Sequence, residues 1–260
     1  MSAIYTHGHD EPVLRSHLPR TAANSAGYLV PHLRSGLSVL DVGCGPGTIT
    51  IGLADLVAPG PVTAIEPVPD ALGAAQQAAG QRSIRFEIAD VHNLPYPDGE
   101  FDVVHAHQVL QHVADPIGAL REMRRVSRGL VAARDADYHA MTWYPENPAL
   151  DEWLDLYRKT HRRNGGEPDA GRRLLSWAQG AGFTDIDASA STWLYATPDS
   201  RRWWGHLWAD RILHTAIADQ AVGYGLATRA DLERISAGWR SWSEAADGWF
   251  AILHGEILCR

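Results

Sequence analysis

Nine residues, Val39-Leu-Asp-Val-Gly-Cys-Gly-Pro-Gly47, set three glycines at alternate positions directly after an apolar run. Glycines there let the chain turn sharply and let a ligand approach the backbone with no Cβ in the way. A dinucleotide loop uses the spacing GxGxxG, with amides aimed at a pyrophosphate. Here the spacing is GxGxG, and Pro46 removes an N–H that a phosphate cradle would use. The favoured ligand is a nucleoside without phosphates; the plainer alternative is a tight turn between strand and helix. Two acids favour the nucleoside. Glu66 ends the second apolar run, where a carboxylate can accept both hydrogen bonds of a ribose diol. Asp90 follows the third run, in Ala89-Asp-Val-His-Asn-Leu-Pro95. Its carboxylate could accept from an exocyclic adenine amine while the Val91 amide meets the ring. Either acid alone reads equally well as a turn former or helix cap. Their order at successive strand ends is harder to explain otherwise.

The histidines offer proton transfer. His112 precedes a helix start and reads either as a base beside the bound nucleoside or as a helix-end histidine. His139, in Arg134-Asp-Ala-Asp-Tyr-His139, follows the fifth strand, on the kind of loop where α/β proteins bind ligands. His105 and His107 share one strand face, but no third ligand accompanies them, so no metal is expected. His7-Gly-His9 repeats the spacing near the terminus and reads as a lid or a solvated loop. Trp143 and Tyr144, beside the fifth strand's loop, are candidates for touching a substrate. So are Tyr5 and Arg20, from a segment expected to pack over the bound nucleoside, where they could instead meet a carboxylate of that ligand, with a surface salt bridge as a further alternative for Arg20.

These groups need strands and helices to hold them. Strands are expected at Ser38–Asp41, Val62–Ile65, Ile84–Ile88, Phe101–Ala106 and Leu130–Ala133, and helices at Thr48–Val57, Asp70–Ala79 and Ile117–Ser127. The last of these opens on Asp115 as N-cap with Pro116 at the first helical position. Such alternation implies a parallel sheet covered on both faces. Before it, Thr21 starts a helix over Ala22–His32. After it, helices are expected at Glu146–Arg163, from Asp169 to Gln179, from Thr197–Pro198 and at Thr228–Asp247. Strands are expected at Ile186–Tyr195 and Trp249–Cys259, the latter antiparallel at the sheet end. All ten tryptophans lie between Trp143 and Trp249. Trp204, Trp208 and Ile212 fall on one helical face, as do Ile235, Trp239 and Trp242, and most read as packing of cap helices.

The run VLDVGCGPG, the strand-ending Glu66, the stretch ADVHNLPYPDGEFDVV and the Asp115–Pro116 helix start resemble the class I S-adenosylmethionine-dependent methyltransferases, in particular the UbiE-like group. The resemblance covers the first half of the chain well and the second half loosely. It implies an α/β, Rossmann-like, seven-stranded, mostly parallel sheet with helices on both faces, its last strand antiparallel, here with an α-helical cap. It also implies that S-adenosylmethionine lies across the C-terminal strand edges, against Asp41, Gly43, Gly45, Glu66, Pro67, Asp90 and Val91, with His107 and Gln108 near the sulfonium. One domain over 1–260 is expected: an N-terminal cap segment at 1–36, the cofactor core at 37–135, and cap helices with the closing strands at 136–260.

The methyl acceptor is narrowed by exclusion. The formal net charge of −8, with scattered basic residues, argues against a nucleic-acid partner. Enzymes that methylate base amines resemble one another in an Asn/Asp-Pro-Pro-aromatic motif after the fourth strand, where this chain reads His105-Ala-His-Gln108. Cytosine C5 chemistry needs a nucleophilic cysteine, yet Cys44 sits in the glycine loop and Cys259 at the tail. With two distant cysteines, no leader-like opening and no apolar run long enough for a bilayer, a cytoplasmic protein is expected, without a membrane partner. The expectation is methyl transfer to a small aromatic or lipophilic metabolite. The alternatives are a bound S-adenosylmethionine used for a non-transfer reaction such as cyclisation, or a non-catalytic scaffold. Oligomeric state is left open.

Overall fold

The computed structural model describes residues 19–260. Tyr5, His7 and His9 lie outside the described residues. The glycine-loop half folds as its periodicity demands. Strands β1 (Val39–Val42), β2 (Val62–Ile65), β3 (Ile84–Glu87), β4 (Phe101–His107) and β5 (Ser127–Ala136) lie parallel in the order β3-β2-β1-β4-β5. Their side chains alternate between two cores, as the period of two requires. Leu40, Val42, Val104, Ala106, Val131 and Ala133 face one core. Val39, Val103, Leu130 and Ala132 face the other.

The short α1 (Ala22–Ser25) and α2 (Thr48–Val57) cover the second face; α3 (Pro69–Ala79) packs along β3; α4 (Pro116–Val126) covers the first face. Asp115 caps α4, its carboxylate accepting from the Gly118 N–H at 2.8 Å. The expected helix Ala22–His32 is broken. After Ser25 the chain leaves the helix at Ala26, and a short 3₁₀ turn follows at Val30–His32, where Pro31 can donate no backbone hydrogen bond.

The second half adds β6 (Thr142–Tyr144), α5 (Pro148–Arg163), α6 (Leu174–Gly180), β7 (Ile186–Tyr195), α7 (Pro198–His214), α8 (Ala216–Gly223), α9 (Arg229–Glu244) and β8 (Trp249–Cys259). Among the described residues the sheet has eight strands, where seven were expected. β8 is antiparallel, as expected, but it does not hold the sheet end. One edge of β8 pairs with β7 over its length; the other pairs with β5 at His254–Cys259 and with β6 at Trp249–Ala251. β6 therefore continues the lane of β5, which explains an extra strand without an extra lane. β7 takes the edge.

Helices α7 and α9 open on Thr197 and Thr228, each in a reciprocal capping box. Asp169 caps no helix. Its carboxylate instead pairs with Arg158 at 2.7 Å and with Arg162. With α5, these helices enclose a third core in which Trp153 makes edge contacts with Trp208 and Trp239 at 4.5 and 4.8 Å. Among the described residues no helix is long and apolar enough to cross a membrane.

Candidate functional site

At the C-terminal ends of β1, β2 and β4 the glycine loop turns through three left-handed residues: Gly43 (φ 67°), Gly45 (φ 51°) and Gly47 (φ 78°). The Gly43 and Cys44 N–H groups both donate to the Ile65 carbonyl, at 2.8 and 3.0 Å, tying the loop to the end of β2. A Cβ on Gly43 would come within 2.5 Å of Val109 Cγ2, so the loop leaves no room for any other residue. Glu66, 9% exposed, follows β2, and its Oε2 accepts from the Gly45 N–H at 3.1 Å. Burial pushes its carboxyl above the usual range, against the lowering effect of the Gly45 and Val68 amides.

A single cavity of about 600 Å³ opens from this loop, within the ordinary size of a small-molecule site. Arg20, Asp41, Gly43, Gly45, Glu66 and Pro67 line it, and so do Asp90, Val91, His107, Gln108 and His112. Not all of them have the same freedom. Asp41 is buried with both oxygens engaged: Oδ1 with His105 Nδ1 at 2.8 Å, directly across the β1–β4 register, and Oδ2 with the Thr50 hydroxyl at 2.5 Å. It therefore braces the loop strand from behind. Asp90 accepts from the His92 N–H and pairs with the His92 ring through Oδ1, which leaves Oδ2 toward solvent and cavity. Those His92 contacts hold its carboxyl below the usual range.

Three expected residues are elsewhere. His139 lies on a 3₁₀ turn (Tyr138–Ala140), where successive side chains splay by a third of a turn; Tyr138 enters the cavity and His139 faces a shallow outer groove. Trp143 borders that same groove, stacked on Phe250 at 5.7 Å. Tyr144 is exposed, and its carbonyl accepts from the Trp242 indole. Among the described residues no group of acids, cysteines and histidines could hold a metal ion.

The opposite wall comes from helix faces whose tryptophans mostly read as packing. Trp204, Trp208 and Arg211 project from one face of α7 into the cavity, joined by Tyr138, Met141 and Trp193. The helical spacing that marks Trp204 and Trp208 continues to Arg211, which was the available signal. Below them the polar groups are tightly oriented. Gln108 sits at φ 54°, a left-handed conformation rare for a residue with a Cβ. Its amide nitrogen meets His254 Nε2 at 3.0 Å, and the His254 Nδ1–H donates to the Ile252 carbonyl. The Gln111 amide nitrogen likewise meets His112 Nε2 at 3.0 Å. An amide nitrogen only donates, so each imidazole accepts there and carries its proton on Nδ1. Burial, followed by nearby positive charge, holds His107, His112 and His254 well below the ordinary imidazole range and hence neutral.

Residues 33–179 match a family described as the methyltransferase domain. An uncharacterized methyltransferase of Schizosaccharomyces pombe is 33% identical, covering 98% of this chain and 95% of its own length. A malonyl-[acyl-carrier protein] O-methyltransferase of Halorhodospira halophila is 33% identical over 81% of this chain and 68% of its own. Among solved structures, the YcgJ protein of Bacillus subtilis superposes with a TM-score of 0.57 at 17% identity, covering 90% of this chain and 96% of its own, a likeness of fold. The chain belongs to the methyltransferase-domain family: it is a class I methyltransferase that takes its methyl group from S-adenosylmethionine.

Proposed function

We propose that this methyltransferase holds S-adenosylmethionine in the glycine-loop half of the cavity and a small aromatic or lipophilic acceptor against the tryptophan wall. One observation carries the reading: a single cavity runs from Gly43, Gly45, Glu66 and Asp90 to Tyr138, Trp204 and Trp208. The loop residues fit the donor. Their backbone comes close with no Cβ intervening, and the Glu66 carboxylate, held by the Gly45 and Val68 amides, would give its remaining lone pairs to a ribose diol. Asp90 and Val91 would read the adenine, and Pro67 would flank it. Arg20, His107 and Gln108 stand farther along the same wall.

When bound, S-adenosylmethionine supplies an electrophilic methyl group on a positively charged sulfur. The chain's own residues align the acceptor and keep water out. His112 is neutral, with Nε2 held by Gln111, so it serves as a donor that orients the acceptor rather than as the base that deprotonates it. Cys44 takes no nucleophilic part, because burial raises its thiol far above neutrality. We place the chain in the UbiE-like group on the strength of its glycine loop and ADVHNLP stretch. We read 1–260 as one domain, since β8 completes the sheet laid down by 37–135. The test is a transfer assay with methyl-labelled S-adenosylmethionine and a panel of phenols, hydroxyquinones and planar acids. Label is expected in a small acceptor, with equimolar S-adenosylhomocysteine; label only in added RNA, DNA or protein would refute the reading.

A further inference from the structure

We propose that His107 recognises the methyl acceptor, and that the acceptor is a flat aromatic compound whose hydroxyl group hydrogen-bonds to the His107 ring. This rests on the reading that the glycine-loop half of the cavity holds S-adenosylmethionine. The position of His107 follows from the strand register. Ala106 pairs with Val42, so His107 stands level with Gly43, the first glycine of the loop, at the C-terminal end of β4. Its ring lies 5.7 Å from that of Trp193, which lines the cavity from β7. His107 therefore marks the border between the loop half and the tryptophan wall, where methyl donor and acceptor have to meet.

Packing alone does not account for this ring. His107 is 7% exposed and lines the cavity, and neither of its ring nitrogens has a hydrogen-bond partner among the described residues. Buried polar atoms are seldom left so. His254 shows how the same part of the fold treats a histidine that only packs. It stacks on His107 at 6.4 Å, yet both its nitrogens are occupied, Nε2 by the Gln108 amide and Nδ1 by the Ile252 carbonyl. The Gln108 amide nitrogen is thus committed to His254, from the left-handed backbone (φ 54°) that directly follows His107. Such conformations gather where a site requires them.

The chemistry of the ring selects the ligand group. Burial keeps His107 neutral, so it offers one N–H donor and one bare nitrogen as acceptor. A carboxylate could use only the N–H, and an ammonium only the bare nitrogen. A hydroxyl can donate to the one or accept from the other, and it enters a buried site without the desolvation cost of a charge. The walls suit a flat body. Trp193 and Tyr195, two apart on β7, share one face of the sheet, and Trp204 is stacked on Tyr195 at 4.5 Å and nearly coplanar with it. A planar ring can lie along Trp193 and Trp204, both of which line the cavity, with its hydroxyl at His107.

The test uses the full chain saturated with S-adenosylhomocysteine. It is titrated calorimetrically with 1-naphthol, 2-naphthol and 7-hydroxycoumarin, each beside its parent ring without the hydroxyl, naphthalene or coumarin. At least one hydroxyl compound should bind about fivefold or more tightly than its parent. 1-Naphthoate should bind more weakly than 1-naphthol; the reverse order would assign the site to an anion and overturn the hydroxyl. His107→Phe keeps a ring but removes both nitrogens, and should bring the hydroxyl preference below about twofold while S-adenosylhomocysteine affinity stays within about twofold. His107→Gln, which carries a donor and an acceptor, should restore part of the preference, a rescue that a purely structural role would not give. A panel in which no hydroxyl compound binds more tightly than its parent would overturn the proposal from the wild type alone, whatever the fate of the variants. So would a His107→Phe protein that keeps the preference, or a folded one that loses S-adenosylhomocysteine, which would assign His107 to the cofactor. A wild type unable to bind S-adenosylhomocysteine at all would fail before any aromatic compound is added, and would overturn the cofactor reading beneath the proposal.

Discussion

Replacing Glu66 with alanine should weaken S-adenosylhomocysteine binding about 100-fold, a loss near 3 kcal/mol. The carboxylate is 9% exposed and lines the cavity, accepting from the Gly45 N–H through Oε2 and also held by the Val68 amide. Hydrogen bonds to a charged group contribute about 1.5–3 kcal/mol each, and a ribose diol would donate two. Water entering the truncated site recovers part of that sum, which brings the net loss to about 3 kcal/mol. Glutamine separates two roles of the side chain. It keeps an oxygen for Gly45 but loses the charge and one acceptor, so Glu66→Gln should cost only about tenfold. The sign of the pH dependence follows from burial, which raises the Glu66 carboxyl above its ordinary value. The diol needs the ionised form, so wild-type affinity should fall as pH drops through that raised value, and the glutamine variant should not share the fall. Isothermal calorimetry over a pH series, with thermal denaturation as a folding control, reads all three effects. Alanine binding within about threefold of wild type would refute the assignment of Glu66 to the ribose. So would a glutamine variant that matches the wild type at every pH.

Gly43→Ala should lower stability by about 1–2 kcal/mol from the left-handed backbone alone, and by more from the 2.5 Å approach to Val109, read as a lower urea midpoint. Adding Val109→Ala should recover the contact component but not the backbone component; full recovery would show that the strain argument is wrong. Asp135 is fully buried, and burial pushes its carboxyl up to about 7. Between its ordinary value of 3.8 and that raised value the folded state binds the extra proton, so stability should fall as pH rises across the window, by up to about 1.4 kcal/mol per pH unit, and level off above it. Asp135→Asn keeps an oxygen for the Gln111 N–H and should flatten that component in denaturation measured from pH 4 to 8; an unchanged slope would contradict the assignment. Burial, then the charge of His161, Arg20 and Arg211, keeps His112 neutral, so the pH–rate curve should show no limb near the ordinary imidazole value of 6.5. A limb there that vanishes in His112→Gln would reinstate His112 as the base.

The legible part of the fold is the part built from local rules. The alternation of β1 to β5, the GxGxG turn and the Asp115–Pro116 start each depend on a few adjacent residues, and each lies within a residue or two of its expected place, apart from the longer β5. β6 is three residues long and pairs with Trp249–Ala251 far along the chain, so no local pattern marks it. The position of β8 between β5 and β7 is likewise a choice among long-range pairings. Asp41 shows the same limit at the site. Its place beside the glycine loop was evident, but its partners His105 and Thr50 come from another strand and a helix.

The tryptophan wall of the cavity separates the two kinds of information most clearly. Helical spacing puts Trp204, Trp208 and Arg211 on one face of α7, yet spacing alone cannot tell a face buried against neighbours from one that borders a cavity. Trp208 does both, touching Trp153 on one side and lining the cavity on the other. His139 and Trp143 were plausible by proximity to β5, but a single 3₁₀ turn and a stack on Phe250 send them outward. The sequence by itself determined the methyl donor and the turn of the glycine loop, because glycine spacing and strand-end acids act over short stretches of backbone. The tertiary structure decided which side chains line the cavity opposite that loop, because the far wall is assembled from β4, β7, α7 and the Tyr138 turn, and only the packing of the tryptophan core brings them to one cavity.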